Sequence, residues 1–253
     1  MKSVGISAPS LRSDCLRAER SRLLLGIDTC GPTGSVALGR LDGESIEILK
    51  QIELEGRSHS ATLVAAVGDL LASAGAQLSD LGAIVAVNGP GSFTGVRVGL
   101  SAVKALAEVA QIPAVAVSRL AILAGKAGLR SSALDAHRNE VFLRLGSEGT
   151  TVRELLAGAD DLTAIYPQGG PAGWQIAVCD DAAVVLLAKA WPSVDLVRTV
   201  APTAADALGL CAARVEAGAF VDLALLDGHY LRRPDAEIFA ADTMSEPSRV
   251  HGA

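Results

Sequence analysis

The chain of 253 residues is long enough to form one large domain or two smaller ones with a substantial hydrophobic core. Half of the residues are hydrophobic but only 3% are aromatic, so small aliphatic side chains must fill that core. The formal net charge of −6 and the dispersed basic residues argue against direct binding of a nucleic-acid duplex, and a polynucleotide is expected to bind only through a partner protein.

The first 22 residues contain basic side chains but no apolar segment followed by a cleavage site, so they are not predicted to be a signal peptide. We interpret residues 1–22 as a disordered extension or a mis-assigned start. No apolar run reaches the roughly 18 residues that span a bilayer, so no membrane partner is expected. The four cysteines are far apart and form no C-x-x-C pair, which is typical of proteins in a reducing cytoplasm.

The next part of the sequence predicts strands and helices in a regular order. The segments LLLGIDT, GSVALGR and ESIEILKQIELE predict three sequential strands joined by tight turns. SHSATLVAAVGDLLASAG predicts a helix that ends at Gly75, and LGAIVAVNG predicts a fourth strand. A helix is predicted over residues 94–110, and Pro113 separates it from a fifth strand, AVAVS.

The second half of the chain repeats this order more loosely. SSALDAHRNEVFLRLGS predicts strand, turn and strand, with Asp135 placed as Asp28 is in the first half. WQIAVCDD and VDLVRTV predict two further strands with the helix AAVVLLAKAW between them, and TAADALGLCAARVEAGA predicts a terminal helix. We therefore predict an α/β fold of two related lobes, residues 23–128 and 129–237, followed by a flexible tail over residues 238–253.

The stretch VNGPGSFTGVRVG, between the fourth strand and the following helix, contains Gly89, Pro90, Gly91 and Ser92. Glycine-rich turns before helices often bind phosphate. A Walker A loop requires a lysine after its last glycine, and a dinucleotide-binding loop requires a third glycine where Thr94 stands. Both phosphate motifs therefore fail, and only the generic attraction of anions to the helix amides remains.

The helix after this stretch carries a strip of small residues. Gly95, Gly99, Ala102 and Leu106 recur at i, i+4, i+7 and i+11, which leaves nearly bare backbone on one face. Such a face allows another helix to approach closely. The spacing alone leaves open whether the strip packs on the chain's own sheet or receives a partner. Phe93 favours a partner, because aromatic side chains often anchor protein interfaces.

The segment GIDTCGPTGSVAL places an aspartate at the end of a buried strand, with hydroxyl side chains beside glycines on the next hairpin. ATPases of the actin, hexokinase and heat-shock class present an acid and hydroxyls to Mg–phosphate in this way, here through Asp28, Thr29 and Ser35. Those enzymes need a second glycine loop in the other lobe, where this chain has Ala136 and His137. We therefore interpret the first loop as a vestigial phosphate loop.

No catalytic set or metal site can be assembled from the spacing of the residues. A helical pair of metal ligands needs histidines four residues apart, and His59 has Leu63 at that position. The spacing yields no Ser-His-Asp or Cys-His arrangement either. We therefore predict no catalytic residue, no metal and no cofactor in the isolated chain.

Five segments resemble, in order, the hallmarks of the TsaB (YeaZ) family, the bacterial non-catalytic partners in making threonylcarbamoyladenosine on tRNA. They are LLLGIDTCGPTGSVAL, HSATLVAAVGDLL, VNGPGSFTGVRVGLSAVKALAEVAQIPAVAVSRLAILA, LDAHRNEVF and GHYLRRPDAE. The resemblance covers residues 23–237, and its most specific part is the stretch 89–97, which includes Arg97. The chain departs from the family pattern at Asn88 and at residues 137–139.

The resemblance implies an actin-like (ASKHA) fold of two lobes, each a mixed sheet flanked by helices. It also implies a heterodimer with a catalytic paralogue, TsaD, which carries out N6-threonylcarbamoylation of adenosine 37 in tRNAs that read ANN codons. A small ATPase, TsaE, joins this assembly. The resemblance implies that tRNA binds only through the complex and that a nucleotide binds only where the two chains meet. It also implies that the assembly works in the cytoplasm.

The resemblance further implies that the first two helices of the N-terminal lobe form the contact with the partner, so that the glycines serve helix-on-helix packing. The implied interface residues are His59, Leu63, Val67, Phe93, Thr94, Gly95, Val98, Gly99, Ala102 and Leu106. Pairing of the chain with itself through the same helices stays open. Two other functions compete with this one: a small-molecule kinase or ATPase that uses Asp28, and a peptidase, for which the residues offer neither a nucleophile nor a metal site.

Overall fold

The computed structural model describes residues 23–54, 59–147, 149 and 151–232, and side chains for all of these except residues 59–61. The predicted N-terminal extension and the predicted tail lie outside the described residues. None of the described helices combines the length and the apolar character that crossing a membrane requires.

Ten strands and six α-helices make up the regular structure of the described residues. The strands are β1 (Leu23–Asp28), β2 (Gly34–Asp42), β3 (Ser45–Leu54), β4 (Leu81–Val87), β5 (Ala114–Val117), β6 (Ser132–Asp135), β7 (Glu140–Leu145), β8 (Arg153–Gly158), β9 (Gln175–Val178) and β10 (Asp195–Arg198). The helices are α1 (His59–Ser73), α2 (Phe93–Ala110), α3 (Arg119–Lys126), α4 (Ala159–Ile165), α5 (Asp181–Ala190) and α6 (Ala204–Glu216). A short 3-10 helix, Leu78–Asp80, precedes β4.

The first five strands form one mixed sheet in the order β3-β2-β1-β4-β5. Strands β1, β2 and β3 pair antiparallel through tight hairpins, whereas β4 pairs parallel with both β1 and β5. The central strands β1 and β4 are almost entirely apolar and buried, as strands covered on both faces must be. The carboxyl ends of β1, β4 and β5 therefore lie along one edge of the sheet.

The second sheet has the same construction. Its order is β8-β7-β6-β9-β10, with antiparallel pairs among β6, β7 and β8 and parallel pairs between β6 and β9 and between β9 and β10. Asp28 ends β1 and Asp135 ends β6, so the two aspartates occupy equivalent positions. The predicted α/β fold of two related lobes is confirmed by this shared strand order.

Polar side chains begin most of the helices that position the site. The side-chain oxygens of Ser92, Ser118, Asp180 and Thr203 accept hydrogen bonds from backbone amides in the first turn of α2, α3, α5 and α6, respectively. These caps satisfy N–H groups that have no partner within the helix. Gly75 follows α1 with a φ of +62°, the left-handed conformation that glycine adopts at helix ends.

Three elements were missed by the sequence patterns. Helix α3 is short and its buried side chains include Leu120, Ile122, Leu123 and Ala124, so it lacks the polar face that reveals a surface helix. Strand β8 and helix α4 follow each other directly, and Gly158 is both the last residue of β8 and the N-cap of α4, so no separate turn marks where one ends and the other begins. All three elements lie after β5 in the chain, between Arg119 and Ile165.

Helix α6 follows the second sheet in sequence but packs against the first. Its Ala204, Leu208 and Cys211 are buried in the core of the first lobe. A Cβ on Gly26 of β1 would lie 2.7 Å from the carbonyl oxygen of Ala204, so this glycine allows the helix to approach the strand. The division of the chain at residue 129 is therefore wrong for α6, because the chain returns to the first lobe after β10.

A third cluster of buried residues connects the lobes. Leu120 and Leu123 of α3 pack there with Leu134, Phe142 and Ala177 of the second sheet. The many small dispersion contacts within this cluster add up. Because the cluster includes residues of α3 and of the second sheet, helix α3 holds the two lobes in contact.

Candidate functional site

The vestigial phosphate loop predicted from the sequence contains a buried ion pair. The Asp28 side chain is buried, and its Oδ1 accepts a hydrogen bond from the backbone N–H of Cys30 at 2.8 Å. Its Oδ2 lies 3.4 Å from Nε of Arg119, the first residue of α3, whose side chain is also buried. A buried carboxylate needs such a counter-charge, because an unpaired charge away from water is costly.

The pKa values of the neighbouring groups follow from this burial. Burial lowers the pKa of Arg119, but the charge of Asp28, together with smaller effects of Cys30 and Cys179, outweighs it and the pKa is raised. Burial and the Asp28 charge hold the pKa of the Cys30 thiol well above its usual value. Burial also raises the pKa values of Cys179 and Cys211 to about 11. These thiols therefore stay protonated near neutral pH and are poor nucleophiles.

The Arg119 side chain lies against the turn between β1 and β2. A Cβ on Gly31 of that turn would be 2.4 Å from an Arg119 guanidinium nitrogen. The hydroxyls expected to face phosphate are used inside the chain instead. Thr29 Oγ1 donates to the carbonyl oxygen of Gly95 at 2.7 Å, and Ser35 Oγ accepts from the backbone N–H of Ala204 at 2.8 Å.

The glycine-rich loop between β4 and α2 packs on the same turn. A Cβ on Gly91 would lie 2.2 Å from the carbonyl oxygen of Cys30, and that oxygen accepts a hydrogen bond from the Ser92 N–H at 2.8 Å. Gly89 has a φ of +107°, precedes a cis bond to Pro90, and accepts from the Arg119 N–H at 2.6 Å. The glycines of this loop therefore serve close approach of backbone to backbone within the chain.

The expectation that Gly95 and Gly99 face a partner is wrong. A Cβ on Gly95 would lie 2.0 Å from the carbonyl oxygen of Thr29, and one on Gly99 would lie 2.3 Å from Thr29 Oγ1. Both glycines belong to the buried side of α2, with Val96 and Leu100. The strip of small residues therefore does not act as one surface. Its two glycines pack against the chain's own β1–β2 turn, so they are not available to a partner.

The remaining predicted interface residues divide between the core and the surface. Leu63 and Val67 of α1 are buried in the first core. Phe93 and Thr94 are exposed, whereas Val98, Ala102 and Leu106 are half-buried. His59 begins α1, and its side chain lies outside the described residues.

Adjacent faces of α1 and α2 form a groove of about 510 Å³. The groove is called the docking face below, and its lining residues are Leu63, Val64, Phe93, Thr94, Arg97, Val98, Ser101 and Ala102. Val64 is 62% exposed and Phe93 is 45% exposed. Exposed large apolar side chains grouped on neighbouring helices are typical of protein interaction surfaces.

The loop of the second lobe that corresponds to the Asp28 turn also closes on itself. Asp135 Oδ1 accepts from the His137 N–H at 2.7 Å, and Oδ2 lies 3.0 Å from His137 Nδ1. His137, Arg138 and Asn139 have φ values of 61°, 55° and 59°, so three residues with side chains adopt the left-handed conformation. No glycine provides the bare backbone that a second phosphate loop would need within residues 135–140.

Sequence reasoning missed three residues that the structure brings to these surfaces: Arg119, Val64 and Tyr230. Arg119 is an arginine at the start of an apolar segment directly after a buried strand, which is a signal for a buried ion pair. Val64 is an exposed apolar residue next to the buried Leu63 in α1, and the sequence alone does not distinguish it from the residues of the core. Tyr230 is one of two tyrosines in the chain, and only the tertiary structure brings it near α2.

The strand order shared by the two lobes and the aspartate that ends each first strand define an actin-like two-lobe α/β protein. The family model described as "TsaD: tRNA N6-adenosine threonylcarbamoyltransferase" matches residues 47–185. YeaZ from Pseudomonas aeruginosa has a TM-score of 0.64 and 30% sequence identity, with 83% of this chain and 99% of that chain covered.

Two sequence relatives add to this similarity. The tRNA threonylcarbamoyladenosine biosynthesis protein TsaB of Escherichia coli is 36% identical over 125 residues, which are 47% of this chain and 52% of that protein. An uncharacterized protein of Mycobacterium tuberculosis is 31% identical over 223 residues, which are 87% of this chain and 96% of that protein. The chain belongs to the TsaB/YeaZ family. It spans about half the length of the TsaB relatives that it matches, 52% in Escherichia coli and 54% in Bacillus subtilis.

Proposed function

We propose that this chain is a non-catalytic scaffold subunit of the assembly that makes threonylcarbamoyladenosine in tRNA. It pairs with a TsaD-type catalytic paralogue that modifies N6 of adenosine 37 in tRNAs reading ANN codons. A TsaE-type ATPase joins the pair in the cytoplasm. The tRNA and a nucleotide bind to the assembly and not to the isolated chain.

One observation carries the non-catalytic role: the Arg119 guanidinium pairs with the buried Asp28 carboxylate and lies on the turn at Gly31. An ATPase of the actin class needs this carboxylate to face Mg–phosphate. Breaking a buried ion pair by removing one partner typically costs about 3–5 kcal/mol, so Arg119 is not expected to move aside for a nucleotide. The internal hydrogen bonds of Thr29 and Ser35 support the same role.

The docking face supports pairing with another protein. Val64 and Phe93 expose apolar surface on two neighbouring helices, and removal of apolar surface from water is the main favourable contribution to most protein–protein association. The names of the relatives support the tRNA modification as the process. The match to the TsaD model supports a partner of related fold, because this chain is itself similar to the family of the proposed partner.

The docking face is tested by co-purifying the chain with the TsaD-type protein of its own organism and measuring their affinity and the tRNA modification they support. We expect modification only when both chains are present. Val64→Glu should weaken the pair by at least about tenfold, because a partner would bury the new charge against apolar surface. Val185→Glu is the matched control: Val185 is 68% exposed on α5 of the second lobe, and its replacement should leave the affinity unchanged.

A kinase or ATPase that uses Asp28 would bind Mg–ATP without a partner, whereas a scaffold subunit would not. Calorimetric titration of the isolated chain with Mg–ATP should give no binding signal if Arg119 holds Asp28. Binding that disappears in the Asp28→Ala variant would contradict the scaffold role and favour the enzyme. Modification activity that does not depend on the chain would contradict it as well.

A further inference from the structure

The segment of residues 227–232, called the strap below, runs beside the glycine-rich loop. It follows Leu226, which is buried in the core of the first lobe. The His229 N–H donates to the carbonyl oxygen of Asn88 at 2.7 Å, and Asn88 Nδ2 donates to the carbonyl oxygen of Asp227 at 3.4 Å. A Cβ on Gly89 would lie 3.3 Å from the carbonyl oxygen of His229, so strap and loop are in close contact.

Tyr230 of the strap contacts the first turn of α2. Its ring centroid lies 5.3 Å from that of Phe93, and the guanidinium carbon of Arg97 lies 3.7 Å above the Phe93 ring. Arg97 Nε also donates to the Tyr230 hydroxyl at 3.3 Å. The guanidinium carbon of Arg97 also lies 5.9 Å from the centroid of the Tyr230 ring, so two aromatic rings and one phenol oxygen hold the guanidinium at the end of the docking face.

The other strap residues attach it to the second lobe. Leu231 packs against the cluster that connects the lobes, and Arg232 pairs with Glu140 and donates to the carbonyl oxygen of Ala136 at 2.9 Å. His229 Nε2 lies 2.8 Å from a carboxylate oxygen of Glu154. Because these contacts lie on both sides of Tyr230, the position of its ring is fixed by the whole strap.

Arg97 is an exposed cation in a mostly apolar groove, and no carboxylate of the described residues pairs with it. A helix that covered the groove would remove this guanidinium from water. An unpaired charge buried in an interface is costly, whereas a planar guanidinium that meets a carboxylate can form two parallel hydrogen bonds. The occupant that fits the groove is therefore a helix with small or apolar side chains and one carboxylate.

We propose that the strap is part of the docking face, and that Tyr230 is a positioning residue that holds Arg97 to receive a carboxylate from the partner's helix. This proposal rests on the scaffold function and names the chemistry of the partner surface. The partner is the TsaD-type chain, and a second copy of this chain is the alternative that the experiment distinguishes.

The experiment measures the affinity of the full chain for its TsaD-type partner at low and high ionic strength. Arg97→Met should weaken binding roughly tenfold at low salt and reduce its salt dependence, because a cation–carboxylate contact is lost. Tyr230→Ala should weaken binding in the wild-type background but add less than about twofold in the Arg97→Met background. Tyr230→Phe keeps the ring and tests the hydroxyl alone. Arg198→Met, at an exposed arginine paired with Asp181 in the second lobe, is the matched control and should change neither quantity.

The outcomes separate this proposal from the proposed function. If the wild-type chain binds its partner and Arg97→Met binds equally well, the proposed function stands and the carboxylate contact is overturned. An equal loss from Tyr230→Ala in both backgrounds would overturn the positioning role. Self-association of the chain with the same dependence on Arg97 would overturn the choice of occupant. Absence of any wild-type pairing would instead overturn the proposed function itself.

Discussion

At the scale of single residues, replacing one glycine in α2 and one in α1 with alanine tests whether α2 needs a residue without a side chain to pack against Thr29. Gly95→Ala would place a Cβ 2.0 Å from the carbonyl oxygen of Thr29, which is backbone and cannot turn away. We expect a loss of about 1–3 kcal/mol in the free energy of unfolding, measured by chemical denaturation. Gly68→Ala in α1 is the control: nothing lies within 4 Å of the position that its methyl group would take, so the helix should gain about 0.5–1 kcal/mol. A Gly95→Ala variant as stable as the wild type would contradict the packing of α2 on Thr29.

Residue patterns predicted that α2 has a face of small residues, but not whether that face contacts the chain's own sheet or a partner. The spacing of Gly95, Gly99, Ala102 and Leu106 is a property of one helix, and it is the same whether that helix faces its own sheet or a partner. Only the position of Thr29 decides between the two. Local patterns did not identify Arg119 as the partner of Asp28 for the same reason, since 91 positions separate the two residues in sequence.

At the scale of secondary structure, a core substitution in α6 tests whether this helix packs in the first lobe, as the structure shows. Leu208 of α6 and Leu187 of α5 are both fully buried, in the first and second cores respectively. Replacing either with alanine should cost about 2–5 kcal/mol. Hydrogen exchange should then report faster local opening of β1 and β4 for Leu208→Ala, and of β6 and β9 for Leu187→Ala. Loss of protection in the second sheet for Leu208→Ala would contradict the packing of α6.

Elements with a clear period or a clear stop signal were predicted, and elements without one were not. Strand β1 is an apolar run that ends before Gly31 and Pro32, and helix α2 lies between the glycine-rich stretch and Pro113. The predicted bounds of both elements agree with the observed ones to within one residue. Helix α3 was missed because it is buried on most sides. Helix α6 was predicted as a helix, but its place depends on the groove beside Gly26, which no local pattern records.

At the scale of the whole molecule, the repeat of one strand order accounts for the two lobes, and a few polar contacts join them. Glu154 of β8 is central to these contacts: its carboxylate accepts from Ser118 Oγ at 2.7 Å and from an Arg144 guanidinium nitrogen at 2.5 Å, and it faces His229 of the strap. The order of elements predicted both lobes. It did not predict the contacts of Glu154, because β8 itself was missed and because Ser118 and His229 come from segments that lie far from β8 in sequence.

The charge of Glu154 predicts how the stability of the whole chain depends on pH. Burial raises the pKa of this carboxyl, but its contacts with His229, Ser118 and Arg144 outweigh burial and hold the pKa below the ordinary value of 4.5. A carboxyl with a lowered pKa in the folded state stabilises that state above the ordinary value, and this contribution is lost as pH falls through the lowered value. Glu154→Gln should therefore be less stable than the wild type by about 1–3 kcal/mol at neutral pH. The difference should shrink as pH falls below 4.5.

Chemical denaturation at a series of pH values measures this difference. Glu47→Gln is the control, because Glu47 forms an exposed ion pair with Arg40 on the first sheet. Exposed pairs contribute about 0–1 kcal/mol, so this variant should follow the wild type closely at every pH. If the gap between wild type and Glu154→Gln were constant from neutral to acidic pH, the charge of Glu154 would not be what joins β8, α3 and the strap. The lobes would then be held together by other contacts, such as the apolar cluster around Leu120 and the Arg232–Glu140 pair.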